Sequence, residues 1–200
     1  FGYISGGYAP VFARAEDYLT ARGITVRKSA RVERLARSPE DGTLQVLLAG
    51  GETLAADRVI FTGPSRVLPT LCRDLNVEPS ILERARSQRY LGVICMVLRL
   101  RRAVSPYYVL NLTDPGLPFT GVIGLTTLVD PQEIGGDHLI YLPRYLPDND
   151  PDFDKPDEAF FAPFMDAMQR VFWRRGFSMD DVILWRVFRS RFVSPIHTLH

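Results

Sequence analysis

Tyr90-Leu91-Gly92-Val93-Ile94-Cys95-Met96-Val97-Leu98-Arg99-Leu100 decides the fold class of this chain. A stretch so dense in β-branched and apolar side chains predicts a strand, and its segment Leu91 to Leu98 is the longest uninterrupted apolar run in the sequence. A bilayer-spanning helix needs about 20 such residues. The run is therefore read as the middle of a sheet and not as a membrane span.

Downstream of it, Tyr107 to Leu112, Phe119 to Leu128, His138 to Leu142 and Val182 to Phe192 read as further strands. They are separated by Ala103 to Pro106, by Asp130-Pro131 and by Gly135-Gly136. Between the last two strands lies Asp148 to Glu158, with six acids and one lysine. Phe160, Phe161, Phe164, Met165, Met168, Val171 and Phe172 follow, spaced as one wide face of a helix. Pro163 falls inside that helix, where an interior proline costs about 3 kcal/mol; the helix either starts near it or is kinked.

Upstream, Val67 to Leu75 and Pro79 to Ser87 read as helical. Arg58-Val59-Ile60-Phe61-Thr62 is nearly all apolar or β-branched and stops at Gly63-Pro64, which predicts a strand buried on both faces that breaks into a loop. A domain crossing is placed there, dividing residues 1–66 from 67–200. Ile24 to Lys28, Arg31 to Ala36 and Leu44 to Leu48 read as earlier strands, with turns at Pro39 to Gly42 and Gly50-Gly51. Pro10, Val11, Phe12, Ala15, Tyr18 and Leu19 predict an amphipathic helix ended by Gly23. The class is α+β: a mixed, largely antiparallel sheet with covering helices, preceded by a smaller helix-and-strand portion.

The 200 residues are 46% hydrophobic and 24% charged, enough for a sizeable core and incompatible with a disordered or collagen-like chain. With 24 Lys and Arg against 23 Asp and Glu the net charge is +1, so no bulk basic excess drives binding to nucleic acid or an anionic membrane. Cys72 and Cys95, the only cysteines, make neither a zinc ligand set nor a disulfide framework and are expected as reduced thiols in a cytoplasmic protein. The chain opens on Phe1 with no methionine and no signal-peptide pattern. It is expected to be an excised piece of a longer protein.

Gly2-Tyr3-Ile4-Ser5-Gly6 has its serine one place too late for a hydrolase elbow. Asp148, Asp150 and Asp152 imitate the opening of a calcium loop, but Phe153 and Ala159 stand where that loop needs glycine and glutamate. His138, His197 and His200 are scattered, so no metal site is expected. Neither GxGxxG nor a P-loop occurs. Gly6-Gly7-Tyr8, ahead of a helix, could let a ligand lie against bare backbone.

The order of these features resembles the flavin-containing amine oxidoreductase superfamily, which includes monoamine oxidases, protoporphyrinogen oxidase, phytoene desaturases and UDP-galactopyranose mutase. The likeness is carried by Gly6-Gly7-Tyr8, the helix, Gly23-Ile24-Thr25-Val26, Ala30 to Leu35, a hairpin, and Ala56-Asp57-Arg58-Val59-Ile60-Phe61-Thr62-Gly63-Pro64. Pro106-Tyr107-Tyr108, Leu110-Asn111, Pro118-Phe119 and Tyr141 to Tyr145 extend it towards the bacterial amine oxidase and protoporphyrinogen-oxidase-like proteins of the group.

The resemblance implies that residues 1–66 are part of an FAD-binding domain and 67–200 a substrate-binding domain. Val32 would meet the FAD adenine through its backbone, and Thr62, Gly63 and Pro64 would form the crossing beside the cofactor. Gly6, Gly7 and Tyr8 would lie near the flavin or the substrate channel. The parent would move hydride from a hydrophobic or amine-bearing small molecule to the flavin, oxidising a C–N or C–C bond, in a dry pocket built by the strands after residue 90. Asn111, Thr126, Tyr141, Tyr145 and Arg189 are the candidate polar anchors there; no catalytic residue is singled out. The family's N-terminal glycine fingerprint and its C-terminal flavin segment are both missing, so these residues alone are expected to be inactive and to hold little or no FAD. Two other readings are kept: a flavin-dependent sugar mutase using Arg144, Tyr145 and Arg189, and a binding module that never used flavin. Association of an uncovered apolar face with a second copy of the chain is left open.

Overall fold

A computed structural model describes residues 3–197; Gly2 of the serine comparison and His200 lie outside the described residues. The chain packs as two compact units, residues 8–88 and residues 3–7 with 89–197.

In the first unit, α1 (Ala9–Thr20) carries Pro10 in its first turn, where the missing N–H is harmless. Just beyond its end Gly23 takes φ +75°, a left-handed conformation that suits glycine, and the Ile24 N–H returns to the Leu19 carbonyl at 3.1 Å. The helix is amphipathic, yet none of its side chains is buried.

Strands β1 (Val32–Arg37), β2 (Leu44–Leu48) and β3 (Thr53–Ala56) form an antiparallel sheet in that order. The strand expected at Ile24 to Lys28 is absent, as is the one at Arg58 to Thr62. A strand persists where its backbone groups find a neighbour, and β3 takes the free edge of β2. Its Thr-Leu-Ala-Ala sequence carries weak β-propensity, which is why it was not foreseen. No strand among the described residues pairs with Arg58 to Thr62, and Ile60, expected inside, is 89% exposed.

Helices α2 (Leu68–Leu71) and α3 (Pro79–Ser87) also belong to this unit. Leu71 and Cys72 are buried with Leu35 of β1, and Val46, Phe61, Leu68 and Leu82 close round them. Packing therefore divides the chain after Gln88, whereas the sequence reading drew its functional boundary after residue 66.

The second unit is a five-stranded antiparallel sheet made of β4 (Tyr90–Leu100), β5 (Val109–Asn111), β6 (Gly121–Gly124), β7 (His138–Pro147) and β8 (Val182–Pro195), in the order β5-β6-β7-β4-β8. Alternation along β4 sends Ile94, Met96, Leu98 and Leu100 to one face, where they are wholly buried. Helix α4 (Glu158–Phe172) contributes Phe160, Phe164, Met165, Met168 and Phe172 to the same core. Phe164 packs against Phe119 with ring centres 5.3 Å apart. Pro163 neither starts nor breaks α4, which begins at Glu158 and continues past it.

Gly92 marks the irregularity where β4 meets β8. A Cβ there would lie 2.4 Å from the Phe153 ring and 2.7 Å from the Ser190 carbonyl oxygen, so only glycine fits. At the far end of β4, Arg102 donates from Nε and Nη2 to the two Asp181 carboxylate oxygens at 2.8 and 2.9 Å. These bonds, with the Ser178 N–H as a further donor, hold the Asp181 carboxyl below its ordinary range.

Candidate functional site

The face of the sheet that α4 does not cover is set by the same alternation. Leu91, Val93, Cys95 and Val97 of β4 point away from the core side and are half-buried. Register brings their neighbours into place: Cys95 stands between Pro143 of β7 and Phe188 of β8, and Val97 is opposite Tyr141, which is itself opposite Ile123 of β6. Cys95, Val97, Tyr141 and Phe188 line a hollow of about 440 Å³. Its lining is almost wholly apolar, and Phe188 is 60% exposed at its side.

Burial pushes the Tyr141 phenol up, with a smaller contribution from nearby Cys95 and Tyr108. The Cys95 thiol is raised by burial as well. Both groups keep their protons at neutral pH, so the floor of the hollow carries no charge. Such a surface binds an apolar body and excludes water; it offers no acid–base pair poised near pH 7.

Of the five expected anchors, only Tyr141 lies in the hollow. Tyr145 is exposed further along β7 and lines a different cleft. The Thr126 hydroxyl accepts from the Leu139 N–H at 3.3 Å and lies 3.3 Å from His138 Nδ1, which ties the Leu125–Thr127 turn to the start of β7. Asn111 is exposed on the edge strand β5, opposite Gly121. Arg189 pairs with Ile94 and so stands on the α4 face, where it donates to Asp157 at 2.5 Å and to the Lys155 carbonyl at 2.8 Å. Cys95, Val97 and Phe188 were missed, although the odd positions of β4 were a legible signal for the first two.

The residues expected to meet FAD are placed as follows. Gly6 and Gly7 adopt φ +77° and +73°, and the Gly7 N–H donates to the Ile4 carbonyl at 2.7 Å, closing a tight turn. Tyr8 caps α1 and is exposed. Val32 opens β1 opposite Leu48, next to a bulge. Thr62, Gly63 and Pro64 are exposed, and a Cβ on Gly63 would meet the Phe61 ring at 2.6 Å.

A dinucleotide needs backbone donors at a glycine turn leading into a helix N-terminus. Among the described residues α3 begins with Pro79 behind Glu78, and α4 begins with an acid. The α1 N-terminus carries no acid, but Pro10 removes one of its donors. These residues therefore do not fit as a pyrophosphate cradle. What they present is backbone and apolar wall.

A family model described as flavin containing amine oxidoreductase matches residues 2–183. The chain belongs to that family. The putative protoporphyrinogen oxidase from Exiguobacterium sp. 255-15 superposes with TM-score 0.72 over 96% of this chain, at 15% identity. An oxidoreductase from Methanosarcina mazei does so with TM-score 0.68 over 94% at 16% identity. Reduced UDP-galactopyranose mutase gives TM-score 0.69 over 95% at 10% identity. At such identities the likeness is one of fold. The chain spans 40 to 43% of the length of these three proteins. No curated protein sequence matches it, and among the described residues no helix is long and apolar enough to cross a membrane.

Proposed function

We propose that this family member contributes the substrate-facing sheet, and an edge of the FAD-binding domain, to an FAD-dependent oxidoreductase acting on a hydrophobic or amine-bearing small molecule. The observation that carries the reading is the uncharged hollow of Cys95, Val97, Tyr141 and Phe188 on the uncovered face of the sheet. When bound, the flavin of such an enzyme accepts a hydride from a substrate C–H bond as the adjoining C–N or C–C bond loses its second hydrogen as a proton and becomes double. The residues of this chain orient the substrate's apolar body and keep water away from it.

The sugar-mutase reading needs free guanidinium groups for a nucleotide diphosphate. Arg144 is engaged with Asp152 at 2.8 Å and Arg189 with Asp157 at 2.5 Å, and both stand opposite Ile94 on the α4 face. That arrangement favours the oxidoreductase. A module that never used flavin has no observation on its side.

The intact enzyme containing this chain should purify yellow, and a colourless preparation that rejects added FAD overturns the proposal. In that enzyme Val97→Asp, which sets a charge in the hollow, should raise KM for an apolar substrate. By contrast, the 200 residues alone should show no saturable change in flavin fluorescence below about 1 mM FAD, because edge contacts must offset an association cost of roughly 4 to 15 kcal/mol. Micromolar binding would move the cofactor site elsewhere.

A further inference from the structure

On the opposite face of the second unit a cleft of about 460 Å³ opens between α4, the 116–120 segment and the end of β7. It shares no lining residue with the hollow over Cys95. Its apolar wall is made by Leu117, Phe119, Leu146 and Pro163. Its charged lining is Arg144, Asp166 and Arg170.

Charge is unbalanced there. Asp152 is shared between Arg144 at 2.8 Å and Lys155 at 2.6 Å, so Arg144 is only partly neutralised. Arg170 reaches Asp166 at 3.3 Å and the Gly116 carbonyl at 3.4 Å, both at the long end of hydrogen-bond geometry. Its side chain is 54% exposed. The cleft lining thus carries two cations, Arg144 and Arg170, against one carboxylate, Asp166, and Arg170 can turn towards a ligand without giving up a strong bond. Pro163 is the second observation. An interior helix position is an unfavourable place for proline, and natural sequences break such local rules at functional sites. Here the ring forms part of the cleft wall.

We propose that this cleft is a second ligand site, separate from the sheet hollow, which takes a small amphipathic carboxylate. The apolar body lies against Phe119, Leu146 and Pro163, and the carboxylate is taken by Arg170 in the positive field of Arg144. The proposal is independent of the flavin reading, because it uses no residue of the hollow or of the FAD-binding edge.

Phenylacetate is the probe, titrated into the chain while the backbone amide signals of Leu117, Thr120 and Leu146 are followed by NMR, with benzyl alcohol as its neutral counterpart. Saturable shifts are expected with half-saturation near 1 mM or below. Arg170→Gln should weaken phenylacetate about tenfold, the worth of one charge-assisted hydrogen bond. Asp166→Asn should tighten it by about threefold, since a competing anion is removed. Both residues are exposed, so neither variant threatens the fold. Equal binding of phenylacetate and benzyl alcohol with no effect of Arg170→Gln overturns the proposal. So does weaker binding in Asp166→Asn, or the absence of saturable shifts up to about 10 mM, a level below any useful affinity.

Discussion

Helices α1 and α4 read alike in the sequence and behave differently in the fold. Each has apolar residues at spacings of three and four. Yet α4 buries Phe160, Phe164, Met165, Ala167, Met168 and Phe172, and α1 buries nothing. The difference lies in what each helix finds. α4 has the even-numbered side of β4 beneath it, whereas Val11, Phe12 and Tyr18 of α1 stay exposed and join no buried cluster among the described residues. Periodicity reports which face a helix would bury; a partner decides whether it does.

The largest effect should come from Phe164→Ala. Phe164 is 1% exposed and touches both Phe119 and Phe160, so its loss should cost about 3 to 5 kcal/mol in urea unfolding of the second unit. A cost below about 1 kcal/mol would mean that α4 is as loosely held as α1. Next comes Arg102→Ala, which leaves the nearly buried Asp181 carboxylate without its bidentate donor and frees two backbone carbonyls. About 1 to 3 kcal/mol is expected. Arg102→Lys should recover only part, because one ammonium cannot copy the forked geometry.

Acid should weaken the second unit more gently. Asp181, held down by Arg102, and Asp152, held down first by Lys155 and then by Arg144, have folded-state pKa values below their unfolded values. Such groups stabilise the fold fully above the unfolded carboxylate value of about 3.9 and lose that contribution as pH falls through the folded value. The second unit should therefore weaken below about pH 4, and Asp181→Asn should flatten that pH dependence in thermal melts. A melt of the variant that keeps the wild-type slope would remove Asp181 from the acid response. The smallest effect belongs to Phe12→Ala: with Phe12 69% exposed, the chain's stability should change by no more than about 0.5 kcal/mol. A larger loss would show that α1 is covered after all, which would erase the contrast with α4.

Much of the second unit was legible in the sequence. The bounds read for Tyr90–Leu100 are those observed, as are those of Pro79–Ser87 in the first unit, because both segments carry their own stop signals and a dense, unambiguous pattern. Val182–Pro195 extends the predicted final strand by three residues, a normal uncertainty where a strand outlasts its hydrophobic run. The strand expected at Arg58 to Thr62 was misread for a physical reason: apolar composition predicts burial, but a lone segment has no ladder partner to make it a strand.

The site was harder to read than the fold. Arg189 was counted as a substrate anchor, and a single step of parity puts it on the α4 face, since alternation moves neighbouring side chains to opposite sides of a sheet. Phe188, one residue earlier, is on the uncovered face beside Cys95. The sequence by itself determined the α+β class, the strand-rich second half, the amphipathic faces of α1 and α4 and the resemblance to a flavin family, because composition, periodicity and motif order are local properties of the chain. Only the tertiary structure decided that Cys95, Val97, Tyr141 and Phe188 share one uncharged hollow and that Arg144, Asp166 and Arg170 share another cleft. Those residues are distant in the chain, and their meeting depends on the register of β7 and β8 against β4 and on which face α4 covers.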